Sequence, residues 1–311
     1  MNPIFLDIGG FTVAWYGVLM TAGIVAGAVI AQKLAQARGL NTRVMSDLLF
    51  WAIVWGIVGA RVGFILTSPD AFKSASFVDY VNIRKGGLAV HGAVVAGIGV
   101  GIYYTWRYKL NFYRYGDLFA PMFGLGIIGG RLGNIMNGSD TTGRPTGLFL
   151  GFRWPDWARG YHDSLCNKDA QENLAQYCQT VGGRLVQTQP VHFTQLYGVI
   201  IGILMVILAF VWLRSRKPGY VFWQAILWYS ILRAGWEETF RLNPLPGWAK
   251  VYLDEGPSGV GIGLFTVTQL VSIPIIALCL YMLWRVSRQA DLPHPSEQSL
   301  EASAFPPAGV R

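Results

Sequence analysis

The sequence predicts an all-α integral membrane protein, with seven transmembrane helices and a small extracytoplasmic head between the fourth and the fifth. Three observations carry that expectation. Hydrophobic residues make up 52% of the 311-residue chain and charged residues only 14%, which is too little polar surface to wet a soluble globule of this size. Seven apolar runs recur along the chain, each near the length of about 20 residues that crosses roughly 30 Å of hydrocarbon. Lys and Arg crowd alternate connections between those runs, as the positive-inside rule requires of a multi-pass protein.

The runs are 13–31, 48–67, 88–106, 118–136, 196–213, 221–240 and 262–284. No basic residue precedes the first and no small-residue cleavage site follows it, so it reads as a retained helix rather than a signal peptide. Lys33, Arg38 and Arg43 follow the first run, Arg107, Lys109 and Arg114 the third, Arg214, Arg216 and Lys217 the fifth, and Arg285 and Arg288 the seventh. These loops share one side. The N-terminus is therefore expected outside and the C-terminus in the cytoplasm. The bias is incomplete, because Lys73, Arg84, Lys85, Arg241 and Lys250 fall in the outer loops. The net charge of +8 lies in helix flanks and not in a stripe interleaved with aromatics, which points to anionic membrane lipid and away from nucleic acid.

Between the second and third runs, "AFKSASFVDYVNI" reads as an interfacial helix or strand. The polar connection 137–192 is the expected head, and its "GFRWPDW" reads as a short hairpin arm that Pro155 confines to an edge. Cys166 and Cys178 share this connection. Their spacing leaves two alternatives open, a disulfide in an oxidising compartment or two free thiols. The tail after Arg288 is rich in Pro and Ser with no apolar period, the composition of a disordered end. The expected organisation is a seven-helix transmembrane catalytic domain over 1–288, with 138–191 as the head insertion, and a disordered cytoplasmic tail over 289–311.

Arg61, Arg131 and Arg233 interrupt apolar runs, where a central arginine costs about 2.5 to 3.5 kcal/mol on insertion scales and usually has a functional reason. Arg131 and Asn134 are three residues apart and share a helix face, which Gly138 continues. Tyr229, Arg233 and Glu237 follow one another at i, i+4 steps, a stripe of phenol, guanidinium and carboxylate. His91 in "GGLAVHGA" and Tyr16 in "VAWYGV" lie toward the same outer ends, so all are expected to converge on one outward-facing site. Each has a blander reading. Arg61 snorkels or pairs with a helix end, Glu237 merely neutralises Arg233, His91 packs, and the tyrosines belong to the interfacial belt. Arg131 with Asn134 resists that reading, because two polar side chains on one apolar face need partners.

A pair of arginines suits a phosphate, since the planar fork donates paired hydrogen bonds and keeps its charge in a low-dielectric site. The abundant phosphates of a membrane are lipids. The sequence has no H-E-x-x-H for zinc, no G-x-S-x-G nucleophile and no Walker loop, and the glycines of "GPSGVGIG" precede a membrane helix rather than follow a strand. No cysteine neighbours His91 in sequence. Positioning of two substrates, without metal, cofactor or covalent intermediate, is the expected mode.

In these residues the chain resembles the bacterial prolipoprotein diacylglyceryl transferases. The signature is "GGRLGNIMNG" (129–138), and the likeness extends through "AWYGVL" (14–19), "GARVGF" (59–64), "GGLAVHGA" (86–93), "PVHFTQLYG" (190–198) and "YSILRAGWE" (229–237). The resemblance implies transfer of the sn-1,2-diacylglyceryl group of phosphatidylglycerol to the lipobox cysteine thiol of a preprolipoprotein signal peptide, releasing glycerol 1-phosphate, the first step of lipoprotein maturation. It implies His91, Arg131, Arg233 and Tyr229 as catalytic residues. Tyr16, Arg131, Asn134, Gly138, Arg233, Glu237 and Arg61 are the expected contacts to phosphatidylglycerol. Two departures stand out. "SDTTGR" follows Gly138, one residue longer than usual, with Asp140 where many members have Glu, and Gly198 replaces a Glu common after "QLY".

Two rival readings remain. A lipid or small-solute transporter would use the same arginines as a transit site, and an inverted repeat would favour it; the sequence offers only the six-residue echo between "GARVGF" and "GGRLGN". A scaffold protein would use them to specify helix packing.

Overall fold

The computed structural model describes residues 3–9, 11–72, 76–81, 87–138, 142–149, 151–158, 161–162, 166, 178–242, 251–253 and 262–290. Asp140, "GPSGV" and the tail after Ala290 lie outside these residues. Among the described residues, five helices are long and apolar enough to cross a membrane: Trp15–Ala37 (α1), Thr42–Thr67 (α2), Phe112–Asn137, in which Phe112–Gly116 is α5 and Ala120–Asn137 is α6, Thr194–Trp212 (α7) and Val267–Ser287 (α10). The third expected run is the helix Val90–Arg107 (α4). The sixth is the helix Tyr220–Leu232 (α8), a π turn Arg233–Glu237, and a last turn Glu238–Phe240 (α9). Large apolar side chains such as Phe50, Trp55, Ile57 and Val58 of α2 stand exposed along the helix, a surface suited to lipid and not to water. The chain is a helical multi-pass membrane protein.

The contacts divide the chain into two compact units. The first comprises residues 1–27 and 119–291. It opens with an antiparallel hairpin, Ile4–Ile8 (β1) and Phe11–Ala14 (β2), so the first helix begins at Trp15 and not at Val13. Glycines set the helix spacing in this unit. A Cβ on Gly23 of α1 would lie 2.6 Å from the Leu125 carbonyl oxygen, and one on Gly129 of α6 (Ala120–Asn137) would lie 2.5 Å from that of Leu19. Small residues one turn apart thus bring the two backbones together, the usual device where lipid supplies no hydrophobic drive. Helix α7 packs on α6 in the same way through Gly124 and Gly202. Ile201, Met205 and Ala209 of α7 then bury themselves against Val221 and Ala225 of α8.

The segment between α6 and α7 carries its own core of Trp154, Ala158, Tyr161, Cys166 and Val191, joined by Leu242. Trp154 stacks on Tyr161 at 3.6 Å between ring centroids and Phe152 on Phe193 at 4.1 Å. Cys166 and Cys178 form a disulfide with Cα atoms 5.9 Å apart, which resolves the alternative left open by their spacing. The hairpin of this segment is Cys178–Val181 (β3) with Arg184–Gln187 (β4). It is not "GFRWPDW", where Phe152 makes only a single bridge to Val191: Pro155 has no N–H with which to extend a ladder. A last hairpin, Val251–Leu253 (β5) with Ile262–Leu264 (β6), precedes α10, so the seventh run opens as a strand and becomes helical only from Val267. Thr266 and Gln269 start that helix with a reciprocal capping box.

The second described unit spans residues 28–118. Its centre is the pairing of α2 with α4, again through glycine. A Cβ on Gly59 would lie 2.5 Å from the Gly92 carbonyl oxygen, and one on Gly92 would lie 2.1 Å from that of Gly59. The motifs "GARVGF" and "GGLAVHGA" are therefore interlocked. Tyr104 of α4 donates to Asp47 of α2 at 2.9 Å. The described residues of the connection between them include short helical turns, Pro69–Phe72 and Phe77–Val81 (α3), helix where the sequence admits either helix or strand; residues 73–75 and 82–86 lie outside the described ones.

Candidate active site

In the first unit, a chain of buried charges joins α6 to the end of α8. Arg131 Nη2 lies 2.6 Å from Glu237 Oε1, and Glu237 Oε2 lies 3.7 Å from Arg233 Nε. Arg233 Nη1 in turn meets Glu238 Oε2 at 2.7 Å. Both carboxylates are 1% exposed, whereas the two arginine side chains keep 14% and 13% of their surface. The acids are sealed, and each arginine side chain keeps a small exposed part.

The π turn explains why two acids reach one arginine. Residues 233–237 wind with the Glu238 N–H donating to the Arg233 carbonyl, an i→i+5 step that widens the turn. Residues four and five beyond Arg233 then both come near it. A regular α-helix, the geometry behind the expected stripe, would favour Glu237 alone. The wide turn is braced from α10: the Gln269 amide donates to the Ala234 carbonyl at 3.1 Å and to Thr239 Oγ1 at 3.3 Å.

Glycines make room around Arg131. A Cβ on Gly198 of α7 would lie 2.6 Å from Arg131 Nε and 2.8 Å from its Cγ and Cδ, so the arginine stem lies across this bare backbone. Gly133 receives the ring of Tyr16, which would be 2.7 Å from a Cβ there. Tyr229 packs edge-on against Phe123 of α6, with centroids 4.9 Å apart. The Asn134 carbonyl accepts from the Tyr161 hydroxyl at 3.0 Å, tying the end of α6 to the inter-helix segment. Gly138 ends α6 at φ 64°, where a Cβ would also strike Trp157 at 2.6 Å. Glycine is the residue that tolerates both constraints.

Two charged residues missed in the sequence belong to this region. Glu238 passed unnoticed because a stripe at i, i+4 stops at Glu237; adjacent acids closing an apolar run are the signal that would have found it. Arg144, 1% exposed, lies in a loop with no period. Its backbone is strapped on both sides, its N–H donating to the Phe240 carbonyl and its carbonyl accepting from the His192 N–H, each at 2.9 Å.

His91 and Arg61 belong to the second unit. His91 is exposed on the first turn of α4, and the backbone just before it is fixed by the Ala89 N–H donating to the Ala60 carbonyl at 2.9 Å. Arg61 is buried and directs its donors at backbone. Its Nε donates to the Tyr80 carbonyl and Nη1 to that of Gly87, both at 2.9 Å, and Nη2 to that of Asp79. Phe72 and Phe64 flank the guanidinium at 5.3 and 5.8 Å.

A family model described as prolipoprotein diacylglyceryl transferase matches residues 3–285. The chain belongs to this family. A phosphatidylglycerol–prolipoprotein diacylglyceryl transferase of Deinococcus radiodurans is 52% identical over 95% of this chain and 88% of its own length. Proteins of the same name from Thermus thermophilus and a Thermoanaerobacter species are 43% and 32% identical, over 91% and 92% of the chain. As a prolipoprotein diacylglyceryl transferase family member, the chain is an enzyme of the transferase class.

Proposed function

We propose that the protein transfers the diacylglyceryl group of phosphatidylglycerol to the lipobox cysteine of preprolipoprotein signal peptides, releasing glycerol 1-phosphate. The observation that carries the reading is the pair Arg131 and Arg233, each partly open and each held by a buried carboxylate. That arrangement pre-orients two guanidinium forks around one carboxylate, as a phosphate site requires. In the proposed reaction the thiolate sulfur bonds to the glyceryl carbon, the bond from that carbon to the phosphate oxygen breaks, and the electron pair leaves on phosphate. A thiol with pKa near about 8.5 needs help to lose its proton, and exposed His91 is assigned that role, directly or through water. Arg131 and Arg233 take up the growing charge. Tyr16, Asn134, Tyr229 and Gly138 shape the headgroup site beside them.

Alternate basic loops support seven spans, with the N-terminus outside and the segment 138–191 as an extracytoplasmic head on the transmembrane domain 1–288. The Cys166–Cys178 disulfide accords with that placement, since disulfides persist in oxidising compartments. The bacterial inner membrane is the proposed location. Purified protein in detergent, given phosphatidylglycerol and a lipobox peptide, is expected to release glycerol phosphate in step with a diacylglyceryl mass gain on the peptide. Arg131→Ala should abolish both. Well-folded protein that modifies no lipobox peptide would sink the proposal in favour of a transporter.

A further inference from the structure

We infer that Glu238 is a specificity-determining residue that sets the arginine pair to hold a singly charged phosphodiester and to expel a doubly charged phosphomonoester. The inference rests on the proposed reading of Arg131 and Arg233 as the phosphate site. Glu237 already reaches both arginines, at 2.6 and 3.7 Å, and so serves to orient them. Glu238 adds a second buried carboxylate on a different nitrogen of Arg233, at 2.7 Å, and the π turn presents it there. Its negative charge weakens the attraction of any anion to Arg233.

The reaction changes the charge of its phosphate. Phosphatidylglycerol is a diester with one negative charge. When the sulfur–carbon bond forms and the carbon–oxygen bond breaks, the phosphate departs as a monoester carrying about −1.5 to −2 charges at neutral pH. Repulsion from a fixed carboxylate scales with the charge of the ligand. Glu238 therefore disfavours product about twice as much as substrate, and spent headgroup leaves the site instead of blocking it.

The test compares two soluble competitors of phosphatidylglycerol, glycerol 1-phosphate and the singly charged diester glycerophosphoglycerol, on wild-type protein, Glu238→Gln and Glu238→Asp. Wild type is expected to bind the diester more tightly than the monoester. Glu238→Gln should improve monoester inhibition relative to diester inhibition by at least about tenfold, the effect of one unit charge about 12 Å away at an effective dielectric of about 20, and by more at shorter range. Glu238→Asp, which keeps the charge, should hold the wild-type ratio. An unchanged ratio in Glu238→Gln, or wild type binding the monoester as well as the diester, overturns the inference; the second readout stands even if the Gln variant fails to fold. Failure of both compounds to compete in wild type would instead overturn the phosphate reading itself.

Discussion

Arg131 and Glu237 are joined by a 2.6 Å ion pair between α6 and the π turn that follows α8, with the carboxylate sealed from solvent. Removing one partner of such a pair leaves the other charge buried, at a cost of about 3 to 5 kcal/mol. Glu237→Ala is accordingly expected to lower thermal stability in detergent sharply as well as activity. Arg131→Lys separates charge from shape: it retains the cation but loses the fork. Transfer should fall by about a hundredfold, as for loss of one preorganised donor, while the unfolding temperature stays near wild type. Full activity in Arg131→Lys would favour a packing role.

Gly198 provides a second, gentler probe of the same arginine. The Cβ of Gly198→Ala meets the flexible Arg131 stem rather than backbone, so the stem shifts and the helices stay packed. We expect a raised KM for phosphatidylglycerol with little loss of stability. Gly129→Ala meets the Leu19 carbonyl at 2.5 Å and should instead destabilise, by about 1 to 3 kcal/mol as for overpacking. Thermal unfolding and kinetics measured together on both variants would separate the two effects.

The helices were legible in the sequence because a bilayer imposes a long apolar run on each, and all seven runs are helical for most of their length. What hydropathy left out was short. The hairpin at Ile4–Ile8 and Phe11–Ala14 and that at Cys178–Val181 and Arg184–Gln187 have too few residues for a period of two to emerge from their surroundings. Within the site, Arg131, Arg233 and Glu237 showed themselves as charges in apolar helices. Glu238 did not, because its contact depends on a π turn that no local spacing announces. Arg61 showed the same polar signal as Arg131, yet its donors go to backbone carbonyls. A charge in an apolar run reveals a need for partners, and the fold decides which partners they are.

Gln269 braces the π turn through the Ala234 carbonyl and Thr239 Oγ1. Gln269→Leu keeps the volume but removes both bonds and half of the capping box at the start of α10. Loss of about 1 kcal/mol for each hydrogen bond removed is expected. Because the turn presents Glu237 and Glu238 to Arg233, activity should fall further than a cap variant such as Thr266→Ser, which leaves the amide in place. Equal activity in the two variants would deny the turn its positioning role.

The Cys166–Cys178 disulfide closes a separation of 12 residues and joins the core around Trp154 to the β3–β4 hairpin. Chain-entropy arguments give about 3 kcal/mol for a loop of that order. Reductant, or the double substitution to Ser, is expected to lower the unfolding temperature and to raise protease cleavage within 142–192 before the helices melt. Simultaneous loss of helix signal and loop protection would show that the segment has no separate stability.

Arg61 offers the clearest separation between a site residue and a fastener. Its guanidinium holds the carbonyls of Asp79, Tyr80 and Gly87, which bracket the connection leading into α4, and His91 stands on the first turn of that helix. Arg61→Ala removes all three bonds and the packing against Phe72 and Phe64, and leaves those carbonyls to water. Arg61→Lys can satisfy at most part of the set from a single nitrogen. If Arg61 acts through the placement of His91, both variants should lower kcat more than they raise the KM for phosphatidylglycerol, Lys less severely than Ala, and protease cleavage between residues 68 and 90 should increase in parallel. If Arg61 instead contacts the lipid phosphate, KM should rise first and the protease pattern should stay as in wild type. A KM effect without added cleavage would return Arg61 to the lipid-binding set and place the fastening role elsewhere in the "GARVGF" and "GGLAVHGA" pairing.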